Sequence, residues 1–94
     1  MKGKWRVVET PGYDMAAPGS YILFDNDGGK FILDCLTGSI HGPCKGDAVE
    51  FEWSGNNEID EASGEGWAQK RPDGSLEGEI SINNGDEIPF IARK

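Results

Sequence analysis

The feature that most constrains the fold is a strict alternation of apolar and acidic residues in the segment 49–53, VEFEW. Successive side chains of a β-strand point to opposite faces, so this segment is predicted to bury one face and to expose the other to water. The polar, acid-rich residues 54–64 follow, and they are predicted to end the strand in an acidic turn. A second aromatic strand begins at Gly66-Trp67-Ala68. The region therefore indicates two neighbouring strands with one dry face.

Short strand-like segments separated by turn residues recur along the whole chain. The 14 Gly residues supply many of the tight turns that short hairpins need. An antiparallel meander sheet of this length, with only one face exposed to water, closes into a barrel or folds over on itself. We therefore predict one all-β domain over residues 1–94, a small antiparallel up-and-down barrel of seven or eight strands. The predicted strands are residues 4–10, 21–24, 30–35, 39–41, 48–53, 64–69, 76–82 and 88–92.

The same alternation predicts which side chains fill the barrel. Residues 11–20 form the longest connection, and Tyr13 and Met15 make it unusually apolar for a solvated loop. We predict that this loop folds over one end of the barrel, either as a plug for the core or as a lid over a ligand opening. The predicted core consists of Trp5, Val7, Ile22, Phe24, Phe31, Leu33, Val49, Phe51, Trp53, Trp67, Leu76, Ile80, Ile82 and Phe90.

The charge balance argues against several classes of partner. The chain has 17 acidic and 9 basic residues, a formal net charge of -8, whereas proteins that bind nucleic acids or anionic lipids use a basic face. No apolar run has the length of a membrane span, and the first residues lack the apolar core of a signal peptide. We therefore expect a cytoplasmic protein without nucleic-acid or membrane partners. In that reducing compartment, Cys35 and Cys44 are predicted to be free, buried and unreactive thiols.

The start of the first strand resembles a known barrel family. The residues Gly3-Lys4-Trp5 match the Gly-x-Trp that opens lipocalin and related calycin barrels. In that family the tryptophan closes the barrel floor, often against a late arginine, and the loop after the first strand covers the mouth. The resemblance implies a lipocalin-like barrel, much shorter than a lipocalin, with Trp5 at its floor and Arg93 as the late arginine.

A longer stretch, residues 50–90, is similar to a group of short bacterial proteins of unassigned function. The shared pattern consists of E-F-x-W, an acidic turn, G-x-G-W-A, D-G-x-L-x-G-x-I and a late G-D. Members of that group often have a histidine where this chain has Asn83, so a role for that histidine does not carry over. The resemblance implies a bacterial protein with the same fold, and it implies no particular activity.

The residue types that carry catalysis or bind metal ions do not form a known motif. His41 is the only histidine, and no Gly-x-Ser-x-Gly, P-loop or dinucleotide-binding glycine pattern accompanies it. Cys35, His41 and Cys44 have neither the spacing nor the fourth ligand of common zinc sites. We therefore predict no catalytic residue, no cofactor and no metal ion, and we expect His41 on a short strand or turn.

Three functions fit the sequence, and we favour the first. It is a non-catalytic protein-interaction module, monomeric or weakly homodimeric, whose acidic face meets an unknown protein partner. The second is a miniature lipocalin-like barrel that binds a small apolar ligand under residues 11–20. The third is a cation-dependent enzyme or a sugar binder that uses the acidic turn 56–65. The predicted ligand- or partner-binding residues are Tyr13, Met15, Glu58, Asp60 and Glu61.

Overall fold

The computed structural model describes residues 2–13, 16–25, 27–42, 46–83 and 85–94. Each strand pairs antiparallel with its neighbour in sequence, and the last strand pairs with the first, so the sheet closes into an eight-stranded barrel. The predicted all-β, up-and-down antiparallel barrel is confirmed. The strands are β1 (Gly3–Glu9), β2 (Tyr21–Phe24), β3 (Gly28–Leu33), β4 (Leu36–His41), β5 (Ala48–Asn57), β6 (Asp60–Lys70), β7 (Leu76–Ile82) and β8 (Glu87–Arg93).

Alternation along each strand sends every second side chain into the barrel. In β5 the inward residues are Val49, Phe51 and Trp53, as predicted. Burial of apolar side chains is the main favourable term in folding, and here it fills the barrel axis. The buried apolar core consists of Trp5, Val7, Ile22, Phe24, Phe31, Leu33, Leu36, Ile40, Val49, Phe51, Trp53, Ala68, Leu76, Ile80, Ile88, Phe90 and Ala92. The prediction missed Leu36, Ile40, Ala68, Ile88 and Ala92.

Two residues predicted for the core lie elsewhere. Trp67 is 39% exposed and points outward, and Ile82 is only partly buried against the core. The register explains the first error, because Ala68 lies opposite inward-facing Val49, which gives Trp67 the opposite phase. Ile82 keeps the inward phase of β7, but it is the last residue of that strand, at the rim of the barrel.

Glycines on the inner face of the sheet give the aromatic rings room. A Cβ atom on Gly66 would lie 2.5 Å from the ring of Phe51, and one on Gly78 would lie 2.6 Å from the ring of Phe90. Both distances are too short for a real contact. The rings therefore pack directly on the backbone of β6 and β7, as in sheets where an aromatic side chain covers a glycine of a neighbouring strand.

The predicted acidic turn is mostly strand. β5 continues to Asn57 and β6 begins at Asp60, so only Glu58 and Ile59 form the turn. The extension is supported by β4, which pairs with the last six residues of β5. These polar segments gain ladder hydrogen bonds from a neighbouring strand, a contribution that the local sequence does not reveal.

A two-residue turn at Asp34 and Cys35 joins β3 and β4, and it corrects the prediction of buried thiols. Leu33 lies opposite Leu36, which leaves Cys35 exposed at the tip of the hairpin as a free cysteine. The Asp34 carboxylate is the main group that raises the pKa of the Cys35 thiol above its ordinary value, which lowers the thiolate fraction and the reactivity. The prediction for Cys44 falls outside the described residues.

The upper end of the barrel carries the connection between β1 and β2 and the β5–β6 turn. Ala16 from that connection packs against the core, as expected of a loop that folds over one end. His41 is the last residue of β4, at the opposite end, which confirms its predicted place on a short strand. No helix in the described ranges has the length and the apolar character needed to cross a membrane.

The lower end is closed by Trp5, which is buried. The ammonium groups of Lys94 and Lys70 lie 5.2 Å and 5.9 Å from the centroid of its ring. Arg93, for which the calycin resemblance implies this position, lies 4.0 Å from the carboxylate of Asp73 instead. Lysine ammonium groups thus occupy the place implied for the late arginine.

Candidate functional site

The outer faces of β5, β6 and β7 carry a group of carboxylates around an exposed tryptophan. The cross-strand register places Glu50, Trp67 and Glu79 side by side and Glu52 beside Glu65. Directly opposed side chains have Cβ atoms about 4.5–5.5 Å apart, so these five residues share one surface, here termed the acidic wall. Along these three strands, all of whose residues are described, no lysine or arginine occupies an outward position in mid-strand.

Trp67 is the aromatic centre of the acidic wall. A groove of about 490 Å³ runs beside it, and Glu50, Glu52 and Glu65 contribute to its lining together with His41. The face of an indole ring carries a partial negative charge that attracts ammonium and guanidinium groups. The groove therefore offers a cation both an aromatic face and several carboxylates.

Among the described residues, no lysine or arginine forms an ion pair with the carboxylates of this wall. The ion pairs recorded among the described residues involve Asp47 and Asp73, which lie outside the wall. Partial burial, followed by the neighbouring Glu87 carboxylate, raises the pKa of Glu79 above the ordinary glutamate value. A cation placed beside Glu79 would favour its ionised form and relieve this repulsion.

The wall is held in place from inside the barrel by Trp53. Its indole N–H lies 3.1 Å from the backbone carbonyl oxygens of both Glu65 and Ser81 and donates to them. These carbonyls belong to β6 and β7, whereas Trp53 belongs to β5. One buried side chain thus links the three strands that carry the acidic wall.

His41, which lines the same groove, forms a pair with Ser54. His41 Nε2 lies 2.8 Å from Ser54 Oγ, and the register places Glu52 opposite His41. A nucleophile and its base need this distance, but acyl transfer also needs free N–H groups that stabilise an oxyanion. The backbone N–H groups around Ser54 belong to the β4–β5–β6 ladder. We therefore interpret the pair as a polar cross-strand contact, which the sequence concealed because 13 residues separate its members.

The structure places four of the predicted site residues, Tyr13, Glu58, Asp60 and Glu61, at the upper end of the barrel without forming one site. Tyr13 is 39% exposed in the β1–β2 connection, and Glu58 lies in the β5–β6 turn with a φ of 59°. Asp60 and Glu61 follow on β6, where alternation sends them to opposite faces. Within the described residues, no three His, Cys, Asp or Glu side chains are grouped to hold a metal ion. The prediction for Met15 falls outside the described residues.

Sequence reasoning placed Glu50 and Glu52 on the wet face but assigned Trp67 to the core, and so it missed the centre of the acidic wall. A signal was present, since Gly64, Gly66 and Ala68 alternate with larger residues and indicate the crowded inner face of β6. Comparisons with known proteins add no further guide, because no protein-family model, no curated protein and no solved structure matches the chain. The resemblances to calycin barrels and to short bacterial proteins stay predictions.

Proposed function

We propose that the protein is a non-catalytic interaction module that binds a basic polypeptide segment across the acidic wall. The observation that carries this proposal is the position of Trp67, exposed on a sheet face directly between Glu50 and Glu79. Large exposed aromatic residues without an internal partner are typical of binding surfaces. The surrounding carboxylates select for arginine and lysine side chains in the partner.

The energetics of such a surface favour a salt-sensitive and moderately tight complex. A cation over an exposed tryptophan contributes about 0.5–1 kcal/mol, and each exposed ion pair contributes about 0.2–1 kcal/mol. Several such contacts must act together to overcome the loss of translational and rotational freedom on binding. The acidic wall also raises the rate of encounter with a basic partner, and this effect declines as salt is added.

The other two functions stay predictions. A small apolar ligand would have to enter a barrel whose axis carries the rings of Phe24, Phe31 and Phe51, so the outer surface has more room for a partner. A sugar could stack on Trp67, and this alternative can be distinguished by experiment. The free thiol of Cys35 is consistent with the cytoplasmic location that we also propose.

The proposal is tested by calorimetric titration with a short arginine peptide that has blocked ends. We expect Trp67→Ala to weaken binding about threefold to fivefold, the loss of one cation–π contact. Tyr13→Ala is the matched control, because Tyr13 is equally exposed at 39% but lies outside the acidic wall. We expect it to leave the dissociation constant unchanged.

Two outcomes would contradict the proposal. One is unchanged binding by the Trp67→Ala variant, and the other is an equal loss in both variants. If the arginine peptide does not bind but a neutral oligosaccharide does, with the same dependence on Trp67, then the sugar-binding alternative replaces the basic segment.

A further inference from the structure

Strand β6 has an unpaired edge at the upper rim of the barrel. It pairs with β5 from Asp60 to Gln69, but its ladder with β7 begins only at Gly64. Ser63 is still bonded to Asn83, so within the described part of the chain residues 60–62 have a strand on one side only. Edges of this kind expose backbone donors and acceptors that can pair with another chain.

The backbone groups that face the open side can be assigned from the hydrogen bonds. Asn83 donates its backbone N–H to the carbonyl of Ser63 at 2.9 Å, so the Ser63 backbone faces the side of β7. In an antiparallel strand, alternate residues direct their backbone groups to the same side. The N–H and C=O of Glu61 therefore face the open side as well.

After β7, the chain turns away from the position beside this edge. β7 ends at Ile82, whose backbone N–H donates to the carbonyl oxygen of Asp86 at 2.9 Å, and the chain turns towards β8. An incoming strand that continues the line of β7 would run antiparallel to β6. A groove of about 800 Å³ at this end of the barrel is lined by residues 54–57 of β5 and residues 60–63 of β6, together with Ile82 and Asn83.

The side chains around the groove define the chemistry of an occupant. Ala62 and Ile82 are partly buried apolar residues, and each packs against the core. Asp60 and Glu61 add negative charge, and Ile59 beside them is 95% exposed at the tip of the hairpin. The groove thus suits an extended segment that alternates apolar and basic side chains.

We propose that residues 60–62 of β6 form a strand-addition site for an extended polypeptide segment that carries lysine or arginine. The added strand bonds to the backbone N–H and C=O of Glu61 and directs apolar side chains towards Ala62 and Ile82. A second copy of this chain is a poorer occupant, because pairing two β6 edges would bring Asp60 and Glu61 of both copies together. This site is separate from the acidic wall and does not depend on Trp67.

The test uses a short peptide of alternating lysine and valine with blocked ends, titrated into isotopically labelled protein and followed by NMR. We expect the amide signals of residues 60–62 to shift and the Glu61 amide to become protected from hydrogen exchange. Glu61→Pro removes the donor and should weaken binding at least about fivefold, the loss of one or two hydrogen bonds. Glu61→Gln keeps the donor, so it should weaken binding less, and only at low salt.

A second measurement keeps the proposal testable if the proline variant does not fold. The same peptide with N-methyl groups on alternate residues cannot pair along one edge, so it should bind wild-type protein at least about fivefold more weakly. Trp67→Ala should leave binding of the unmodified peptide unchanged, which separates this site from the acidic wall. The proposal is overturned if N-methylation has no effect, if the shifts fall on the acidic wall, or if no binding occurs at about 1 mM peptide.

Discussion

Two opposite walls of the barrel use aromatic and charged residues in different ways. The outer faces of β1–β3 carry Lys4, Lys30 and Tyr21, here termed the basic wall, and the ammonium group of Lys4 lies 4.5 Å from the centroid of the Tyr21 ring. On the acidic wall, no ammonium or guanidinium group among the described residues lies over Trp67. A cation–π contact therefore forms within the chain on the basic wall, whereas no described residue forms one with Trp67 on the acidic wall. The comparison indicates which wall is available to a cationic partner.

The two walls also differ in what lies beneath them. Behind the basic wall, β1–β3 direct large side chains such as Trp5, Ile22 and Phe31 into the barrel. Behind the acidic wall, β6 directs Gly66 inward, and the Phe51 ring packs on its backbone. The position of the acidic wall therefore depends on close contact between a ring and the main chain, and small changes in volume should disturb it.

The largest effect is expected from enlarging the inner face of β6. Gly66→Ala would place a methyl group 2.5 Å from the Phe51 ring, so the ring or the strand must move. We expect the free energy of unfolding to fall by about 3 kcal/mol, measured by urea denaturation. Gly85→Ala is the control, because the nearest atom to its Cβ would be a methyl group of Ile82 at 3.3 Å. Equal stability of the two variants would remove the proposed dependence of the acidic wall on ring packing.

A smaller effect is expected from reversing charge on each wall in turn. The double variant Glu50→Lys and Glu79→Lys should weaken binding of the arginine peptide at least about tenfold, because attraction becomes repulsion on both sides of Trp67. The counterpart on the basic wall, Lys4→Glu with Lys30→Glu, should change binding less than about twofold. Calorimetric titration at low salt measures both. Similar losses in the two double variants would show that net charge, and not the acidic wall, governs binding.

The smallest effect concerns pH and the Glu79 carboxyl group. Because partial burial and Glu87 raise its pKa, this group stabilises the fold below the ordinary glutamate pKa, and the contribution is lost as pH rises through the raised pKa. Glu79→Gln should therefore be slightly more stable than wild type at neutral pH, with the difference fading in acid. Denaturation midpoints of the wild type and of Glu79→Gln, at neutral and at acidic pH, measure this difference in stability.

The pKa of Asp73 is shifted in the opposite direction to that of Glu79. Hydrogen bonds from Ser75 are the main cause of the lowered pKa of Asp73, so its contribution is present above the unfolded pKa and is lost as pH falls through the folded pKa. Asp73→Asn should destabilise the protein at neutral pH and lose its effect in acid. If both variants change stability in the same direction at neutral pH, the assigned causes of the two pKa shifts are wrong.

The sequence predicted the barrel well because alternation and short turns are local signals. The bounds of β2 and β7 agree with the prediction, and every other strand was found within a few residues. The errors arose where pairing with a neighbouring strand determines the length or the facing of a strand. β4 extends β5 beyond Trp53, and the register of β6 against β5 turns Trp67 outward. Predicting the acidic wall required that register, and predicting the unpaired edge of β6 required the relative lengths of β6 and β7. No local sequence pattern contains either piece of information.

The seam between β1 and β8 has a consequence for how the chain reaches its native state. All other strand pairs join neighbours in sequence, whereas this pair joins Arg6 to Arg93 and brings Lys94 against Gly3. Contacts between residues close in sequence form quickly, but joining the two ends of the chain requires closing a loop of almost the whole molecule. We therefore expect the hairpins to assemble first and the seam to form last. A barrel whose ends meet in this way is also suited to circular permutation, with the old ends joined and new ends opened in the turn around Gly74.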